Sequence, residues 1–329
     1  MTGSHRAAIC TALTGPDAMR IGERTALPLQ DGEVRIATRA AGVNFPDLLM
    51  TYGKYQFRPD PPFVPGLEIA GEVVEIGRGV TGIQHGDHVM AGARGGGFAE
   101  QMIAPAAATM PLPAALSFEE GACWRGAATT AWHAFHDKAA LLPGEAVLVL
   151  GASGGVGMAA VKLAKHLGAL VIGTASSEAK RAAILVAGAD HALDPAARDL
   201  ADQVKALTRG TGANIVFDPV GGDLSIKATR AIAWGGRFLI VGFASGSIPA
   251  FPANHALIKG YSLIGLRAGE AGRRDPALAA RNRDILAELA EQGVMRPHIS
   301  HRFPLDQTAD ALRALQNRNV IGRAVIVMP

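Results

Sequence analysis

Cysteine is scarce in this chain: Cys10 and Cys123 are the only two among 329 residues. Two thiols cannot build a disulfide framework, so a reducing, cytoplasmic setting is expected. Long apolar runs are also missing. No segment is unbroken enough to span a bilayer and the N-terminus lacks a secretory pattern, so no membrane partner is expected. Charge of one sign is not in excess either. The formal net charge is +3, without a basic run or an interleaved basic and aromatic stretch, which argues against nucleic acid as a partner. No repeat period or low-complexity segment stands out beyond alanine richness. The remainder is globular in composition, with 49% apolar and 19% charged residues, and long enough for two domains with substantial cores.

The most informative stretch that is present runs from Val147 to Gly157, Val-Leu-Val-Leu-Gly-Ala-Ser-Gly-Gly-Val-Gly. A short apolar run fits a buried parallel strand, and glycines let the backbone turn tightly into a helix. Val156, Ala160, Leu163 and Leu167 continue at helical spacing, placing Ser153, Gly154, Gly155, Val156 and Gly157 at a helix N-terminus. Unsatisfied amide N–H groups and the helix dipole can hold a pyrophosphate there. Ala152 stands where the usual G-x-G-x-x-G pattern has its first glycine, and Gly154 with Gly157 keeps the spacing.

Its neighbours extend the pattern. Leu170 to Thr174 reads as a second buried strand, followed by a helix from about Ser177 to Ala187 that Gly188 ends. Ile215 to Asp218 and Phe238 to Val241 are further apolar runs preceded by helical patterns, and Tyr261 to Leu266 resembles another. Alternating strands and helices predict an α/β fold with a doubly wound parallel sheet. Its ligand edge would carry Gly151, the Asp218 to Gly222 turn and Gly242. Residues 1 to about 125 differ, with short alternating runs at 34–38 and 71–76 and glycine-rich loops at 77–82, 84–88 and 95–97. They predict an antiparallel, β-rich domain. After residue 266 come two helical patterns, 276–292 and 306–317, and a strand-like end at 324–327. This tail is expected to return to the first domain, giving 1–125 with 267–329 as one domain and 126–266 as the cofactor domain.

The order of these segments resembles the medium-chain dehydrogenase/reductase superfamily, and in detail its zinc-independent, quinone-oxidoreductase-like branch, over essentially the whole chain. The residues that carry the resemblance are Ala41 to Asp47, Pro65 to Gly71, Gly86 to Val89, Gly97 to Glu100, Gly151 to Gly157 and Gly235 to Arg237. The resemblance implies a GroES-like catalytic domain, a Rossmann domain and a nicotinamide cofactor. In the zinc alcohol dehydrogenases a catalytic zinc takes two thiolates and an imidazole. By motif alignment the corresponding positions here are Asn44, Leu67 and Gly126. Leucine and glycine side chains cannot ligate a metal, and a catalytic zinc needs about three protein ligands. Two cysteines also cannot form the relatives' four-cysteine lobe. The pairs His85/His88 and His133/His136 invite a metal reading, since i, i+3 rings share a helix face, but no third ligand is evident. The expected metal content is none.

Cofactor choice should be decided at the end of the second strand, where an acidic residue would bind a ribose 2′-OH. Gly173 to Ser177 carries no carboxylate there. Ser176 and Ser177 can donate to a 2′-phosphate, and the resemblance places Lys180 and Arg318 near it, so NADPH is expected. Ser177 as a plain helix cap and Lys180 as a solvated cation remain the alternative. The resemblance also puts Asn44 and Thr130 beside the nicotinamide and acceptor, Gly242 and Phe243 among the cofactor contacts, and Tyr55 as a proton donor or orienter. Tyr55 also reads as an aromatic that only shapes the pocket, and Tyr52 is unassigned. Without a metal, Asp47 and Glu68 read as backbone anchors, and Cys123 as a small buried hydrophobe.

The expected activity is zinc-free, NADPH-dependent hydride transfer to a small-molecule quinone or enone. Reduction of an enoyl thioester, with Arg58, Arg94 and Arg267 available for an acyl-CoA, is the near alternative. Non-catalytic NADPH binding is another class. A homodimer is expected from the resemblance, through an edge strand at Tyr261 to Leu266.

Overall fold

A computed structural model describes residues 3–329. The chain forms two compact units, one running up to Gly126 and resumed at Ala290–Pro329, the other Ala127–Leu289. The second crossing thus falls at residue 289, where the sequence pattern had placed it at 266. It lies near the end of the helix Pro276–Glu291, all of which up to Leu289 belongs to the second unit.

In the first unit, β1 (Ser4–Cys10) and β2 (Met19–Thr25) pair as an antiparallel hairpin. The main strands follow: β3 (Glu33–Val43), β4 (Glu68–Ile76), β5 (His88–Gly92), β6 (Gln101–Pro105) and β7 (Thr109–Pro111). A short helix, α1 (Phe45–Thr51), leaves the end of β3, and α2 (Phe118–Trp132) carries the chain into the second unit. Alternation sets the sheet's inner face. Val34, Ile36 and Ala41 of β3, Ile69 and Val73 of β4, and Val89 and Ala91 of β5 belong to one buried cluster.

The second unit is a six-stranded parallel sheet. Its strands are β8 (Ala146–Val149), β9 (Leu170–Thr174), β10 (His191–Leu193), β11 (Ala213–Asp218), β12 (Ile232–Ile240) and β13 (Ser262–Gly265), in the order β10-β9-β8-β11-β12-β13. Between them run α3 (Gly155–His166), α4 (Glu178–Val186), α5 (Leu200–Leu207), α6 (Gly222–Thr229) and α7 (Ala253–Lys259), and α8 (Ala268–Arg274) and α9 (Pro276–Glu291) come last. All four residues of β8 are buried, as a central parallel strand requires. The order reverses at β8, which is flanked by β9 and β11, so the ends of these three strands form the switch point. Two expected strands differ in length. β12 begins at Ile232, because a bulge with Gly235 at φ 67° accommodates extra residues before pairing resumes at Arg237. β13 is confined to 262–265, with Tyr261 buried just before it.

The chain then adds β14 (Ile299–Pro304), α10 (Thr308–Gln316) and β15 (Arg323–Val327) to the first unit. β15 inserts between β14 and β3, with Ala324 opposite Val43 and Val327 opposite Ala40. Ala324, Val325 and Ile326 are fully buried. Truncation after Arg318 should therefore open two strand edges and abolish soluble expression. A soluble product with the melting temperature of the full chain would show that β15 is dispensable.

Candidate active site

In the first unit the polar groups converge on Glu68, the first residue of β4. Asn44, at the junction of β3 and α1, donates from Nδ2 to Glu68 Oε1 at 3.0 Å. The Gly126 amide on α2 donates to Oε2 at 2.7 Å. Arg323, the first residue of β15, donates from Nη2 to Oε1 and from Nη1 to Asn44 Oδ1, the latter at 2.8 Å. Glu68 and Arg323 are both buried. Burial draws the Arg323 guanidinium down, but Glu68 and Cys123 beside it together outweigh this and leave it above its ordinary value. Two glycines make the room. A Cβ at Gly126 would fall 2.7 Å from Glu68 Oε2, and one at Gly42 would fall 2.9 Å from Arg323 Nη2 and 2.3 Å from the Ala122 carbonyl.

Asp47 closes the base of this cluster. Its Oδ2 accepts from the Asn44 amide at 2.9 Å, completing a capping box on α1, and its Oδ1 accepts from the Gly66 amide at 3.0 Å. Complete burial pushes its carboxyl up to about 7, against the pull of those two amides. Asp47 and Glu68 thus anchor backbone and side chains. Asn44 is almost fully committed. Its two N–H bonds go to Glu68 and to the Gly42 carbonyl at 3.3 Å, and its oxygen already accepts from Arg323. Leu67 and Gly126 offer no side-chain donor, and among the described residues no group of three or more His, Cys, Asp or Glu is placed to hold a metal. Cys123 is buried, and burial pushes its thiol up to about 11. Tyr55 is half-buried in the loop after α1, where its carbonyl accepts from Arg58 Nε at 3.2 Å. Tyr52 donates its hydroxyl to Gln316 at 3.1 Å.

In the second unit the β8–α3 turn is built from Gly151 at φ 57°, with its amide on Thr174 Oγ1 at 3.2 Å and the Ala152 amide on the Thr174 carbonyl at 2.9 Å. Gly154 caps α3 and is exposed, and Gly155, Val156 and Gly157 form the first turn, whose amides lack intrahelical partners. The glycines serve two ends. A Cβ at Gly157 would fall 2.4 Å from the Gly151 carbonyl, so this position lets helix and turn pack closely. A Cβ at Gly154 would have the Gly151 carbonyl as its nearest neighbour at 3.6 Å, so the backbone here presents an open face. An open backbone face over free amides suits a pyrophosphate, and Ser153 lies buried beside it.

At the end of β11, Asp218 accepts from the Val220 and Gly221 amides at 2.8 and 2.9 Å and from the Ser225 hydroxyl. Burial is the largest influence on this carboxyl and leaves it above its ordinary value. The Asp218 carbonyl holds the Gly242 amide at 3.2 Å, and a Cβ on Gly221 would fall 2.9 Å from the ring of half-buried Phe243. Beyond β9, Ser176 is exposed and the Ser177 hydroxyl accepts from the Lys180 amide at 3.3 Å, so Ser177 does cap α4. Lys180 is half-buried, and Thr130 is half-buried on α2. Arg318 is exposed just past α10, at φ 57°.

The histidine pair on the turn His133–Lys138 has a different task. That turn is π-helical, and Asp137 receives His133 Nδ1 at 2.7 Å, His136 Nδ1 at 3.1 Å, Asn282 Nδ2 at 2.7 Å and Arg281 Nη2 at 3.2 Å. Burial raises the Asp137 carboxyl, but the donors, His133 foremost, bring it below its ordinary range. The i, i+3 spacing serves one carboxylate. Sequence reasoning missed Arg323 as well, although a lone cation heading the otherwise apolar segment Arg-Ala-Val-Ile-Val was a usable signal.

A β-rich unit and a parallel sheet with a glycine-lined helix N-terminus at its switch point define a pyridine-nucleotide-binding oxidoreductase. The Alcohol dehydrogenase GroES-like domain family matches residues 30–114, and the Zinc-binding dehydrogenase family matches residues 155–282. Quinone oxidoreductase-like protein 2 homolog of Nematostella vectensis is 40% identical over 326 residues, covering 98% of this chain and 89% of that protein. A Pseudomonas syringae quinone oxidoreductase superposes with a TM-score of 0.89 at 27% identity, over 98% of this chain and 99% of that one. A mycobacterial protein complexed with NADPH gives 0.87 at 28% identity, over 98% and 99%. The chain belongs to the medium-chain dehydrogenase/reductase family, in its quinone-oxidoreductase-like group.

The Asp47 carboxyl sits higher in the folded chain, at about 7, than in an unfolded one, at the ordinary 3.8. Between those values the folded state holds the extra proton, so this group's stabilisation is full below about pH 4 and is lost as pH rises through 7. Urea unfolding across that window should show the wild type losing stability relative to Asp47→Asn as pH rises. Parallel curves for the two proteins would show that Asp47 is not held neutral.

Proposed function

We propose that this protein is a zinc-independent, NADPH-dependent reductase of small quinones or α,β-unsaturated carbonyls. The observation that carries this is the Asn44–Glu68–Arg323 cluster. At the aligned metal-ligand positions two side chains have no donor atom, and the third, Asn44, is held by a carboxylate and a guanidinium of the chain itself. When bound, a reduced nicotinamide supplies the hydride, which leaves the protein the tasks of orientation and charge stabilisation. The amides of Gly155 to Gly157, beside Ser153 and under the open face of Gly154, would hold the pyrophosphate. Ser176, Ser177, Lys180 and Arg318 would receive a 2′-phosphate, with no carboxylate over 173–177, where an acidic residue would bind a ribose 2′-OH. Thr130, Gly242 and Phe243 would border the rest of the cofactor. Tyr55 would orient the acceptor or give it a proton.

Enoyl-thioester reduction is the second reading. The Arg94 guanidinium lies 5.5 Å from the ring centroid of partly exposed Phe57, with Arg58 adjacent in sequence, a basic and aromatic pairing that suits a phosphorylated acyl carrier. We also propose a homodimer through the β13 edge, where Trp234, Leu257 and Leu263 are 79%, 82% and 40% exposed. A monomeric mass by light scattering would dispose of that.

Anaerobic oxidation of NADPH and NADH against a benzoquinone, phenanthrenequinone, an unsaturated ketone and crotonyl-CoA, with EDTA throughout, tests the activity. NADPH-linked turnover of quinones or the ketone, untouched by EDTA, is expected. A strong preference for the CoA ester would favour the second reading, and NADPH binding without any turnover would make this a binding protein. Lys180→Ala should weaken NADPH selectively, by about tenfold or more for loss of a phosphate contact. An unchanged NADPH/NADH ratio would remove Lys180 from the phosphate site.

A further inference from the structure

The π-helical turn His133–Lys138 lines, together with residues of α8 and α9, a concavity of about 400 Å³ that has no role in the account above. All of its lining residues belong to the second unit. Its base is fixed by a network. Asp137 accepts from four side chains, the His136 ring stacks on Trp132 with centroids 4.5 Å apart, and Trp132 Nε1 donates to Asn282 at 3.3 Å. The two carboxylates of the wall are thus both engaged, since Asp275 accepts from the Leu278 amide at 3.0 Å at the head of α9. The cations are less so. Arg281 gives Asp137 only its Nη2, and the exposed Lys138 ammonium has no ion-pair or hydrogen-bond partner among the described residues. Over 133–138 and 268–281, four Lys or Arg side chains stand against three carboxylates, before either histidine is counted.

His133 is an independent pointer to an occupant. The Asp137 carboxylate, held below its ordinary range, only accepts, so His133 Nδ1 carries the proton of their bond. In the neutral ring Nε2 then presents a lone pair, and this atom is buried without a hydrogen-bond partner. Shut off from bulk water, it needs a donor from a molecule held against that wall. A metal ion is a poor candidate. Among the described residues no group of three or more His, Cys, Asp or Glu is placed to hold one, and two cations line the same wall. An O–H group meets the lone pair without that penalty, and negative oxygens meet the cations.

We propose that this concavity binds a small hydroxycarboxylate, through residues that take no part in the reductase reading. Lys138 and the remaining N–H groups of Arg281 hold its carboxylate oxygens, and its hydroxyl donates to His133 Nε2. Ala271 and Leu278 give its short carbon chain an apolar stretch of wall. The space admits such a molecule together with ordered waters that complete its hydrogen bonds. A carboxylate without a hydroxyl balances the cations but leaves Nε2 unmet, so the site selects for the O–H.

The test titrates the full chain, with 15N-labelled histidine, with malate and with succinate, which differs from it only in lacking the hydroxyl. Malate should bind saturably, and the His133 Nε2 resonance, assigned by its loss in His133→Gln, should move as the atom gains a hydrogen bond. Succinate should bind about tenfold more weakly, the worth of one hydrogen bond, and leave that resonance in place. Lys138→Met removes no side-chain bond of the fold, so it should melt like the wild type and bind malate about tenfold more weakly. Saturating NADPH should leave malate binding unchanged. Absence of saturable malate binding overturns the proposal, as does equal affinity for malate and succinate, or for wild type and Lys138→Met. Displacement of malate by NADPH also overturns it, because the anion would then sit where the cofactor's phosphates bind. None of these readouts depends on turnover, so the site stands or falls apart from the reductase reading.

Discussion

The buried carboxylate of Glu68 constrains the first unit more than any other single group. An ionised carboxylate out of water is tolerated only when paired and fully hydrogen-bonded, and removal of one partner from such a pair costs about 3–5 kcal/mol. Its partners come from the β3–α1 junction, from α2 and from β15, so three distant parts of the chain are tied to one residue. That requirement explains features that otherwise look unrelated. The C-terminal strand returns to the middle of the sheet and brings Arg323 with it. Gly126 and Gly42 lack side chains because the space a Cβ would take is already filled by the carboxylate, the guanidinium and a carbonyl. Replacing the pair by apolar residues of like volume need not destabilise the fold, so its retention points to the orientation it imposes on Asn44.

That orientation has chemical content. A free asparagine offers two donors and an acceptor of two lone pairs, and it can turn its amide to suit a ligand. Asn44 cannot, since Arg323 faces its oxygen and Glu68 its nitrogen, and reversal would set like partners against each other. Asp47 fixes the backbone beneath it through the capping box. Such a site meets a ligand with its polar groups already placed, which is the condition under which hydrogen bonds stabilise developing charge without reorganisation.

What could be read from the chain alone followed the range of the interactions. β9 matches its apolar run residue for residue, and α4 lies within the expected 177–187 because its cap at Ser177 and its stop at Gly188 are local signals. The glycine turn after β8 was legible for the same reason. The β12 bulge was not, since it depends on pairing with β11, nor was the narrowing of β13, whose first expected residue, Tyr261, packs into the core. The histidines were visible as a pair, but their purpose was not. His133 and His136 serve Asp137 together with Asn282, about 145 residues further on, and only the fold brings that residue to them. Arg323 was hidden in the same way, 255 residues from Glu68.

At the end of β9, a capping role for Ser177 and the proposed phosphate contact do not exclude each other. Ser177 caps α4, and its oxygen accepts from the Lys180 amide. A hydroxyl has two lone pairs and one proton, so accepting that bond leaves its O–H free to donate. The same bond fixes the first turn of α4, and with it the point from which the Lys180 side chain departs. A carboxylate at 177 would cap the helix equally well and would repel a phosphate dianion. Capping alone therefore does not account for serine here over aspartate. The difference is charge: a neutral cap adds no second carboxylate beside Glu178 in that first turn, while the helix keeps its N-terminus satisfied.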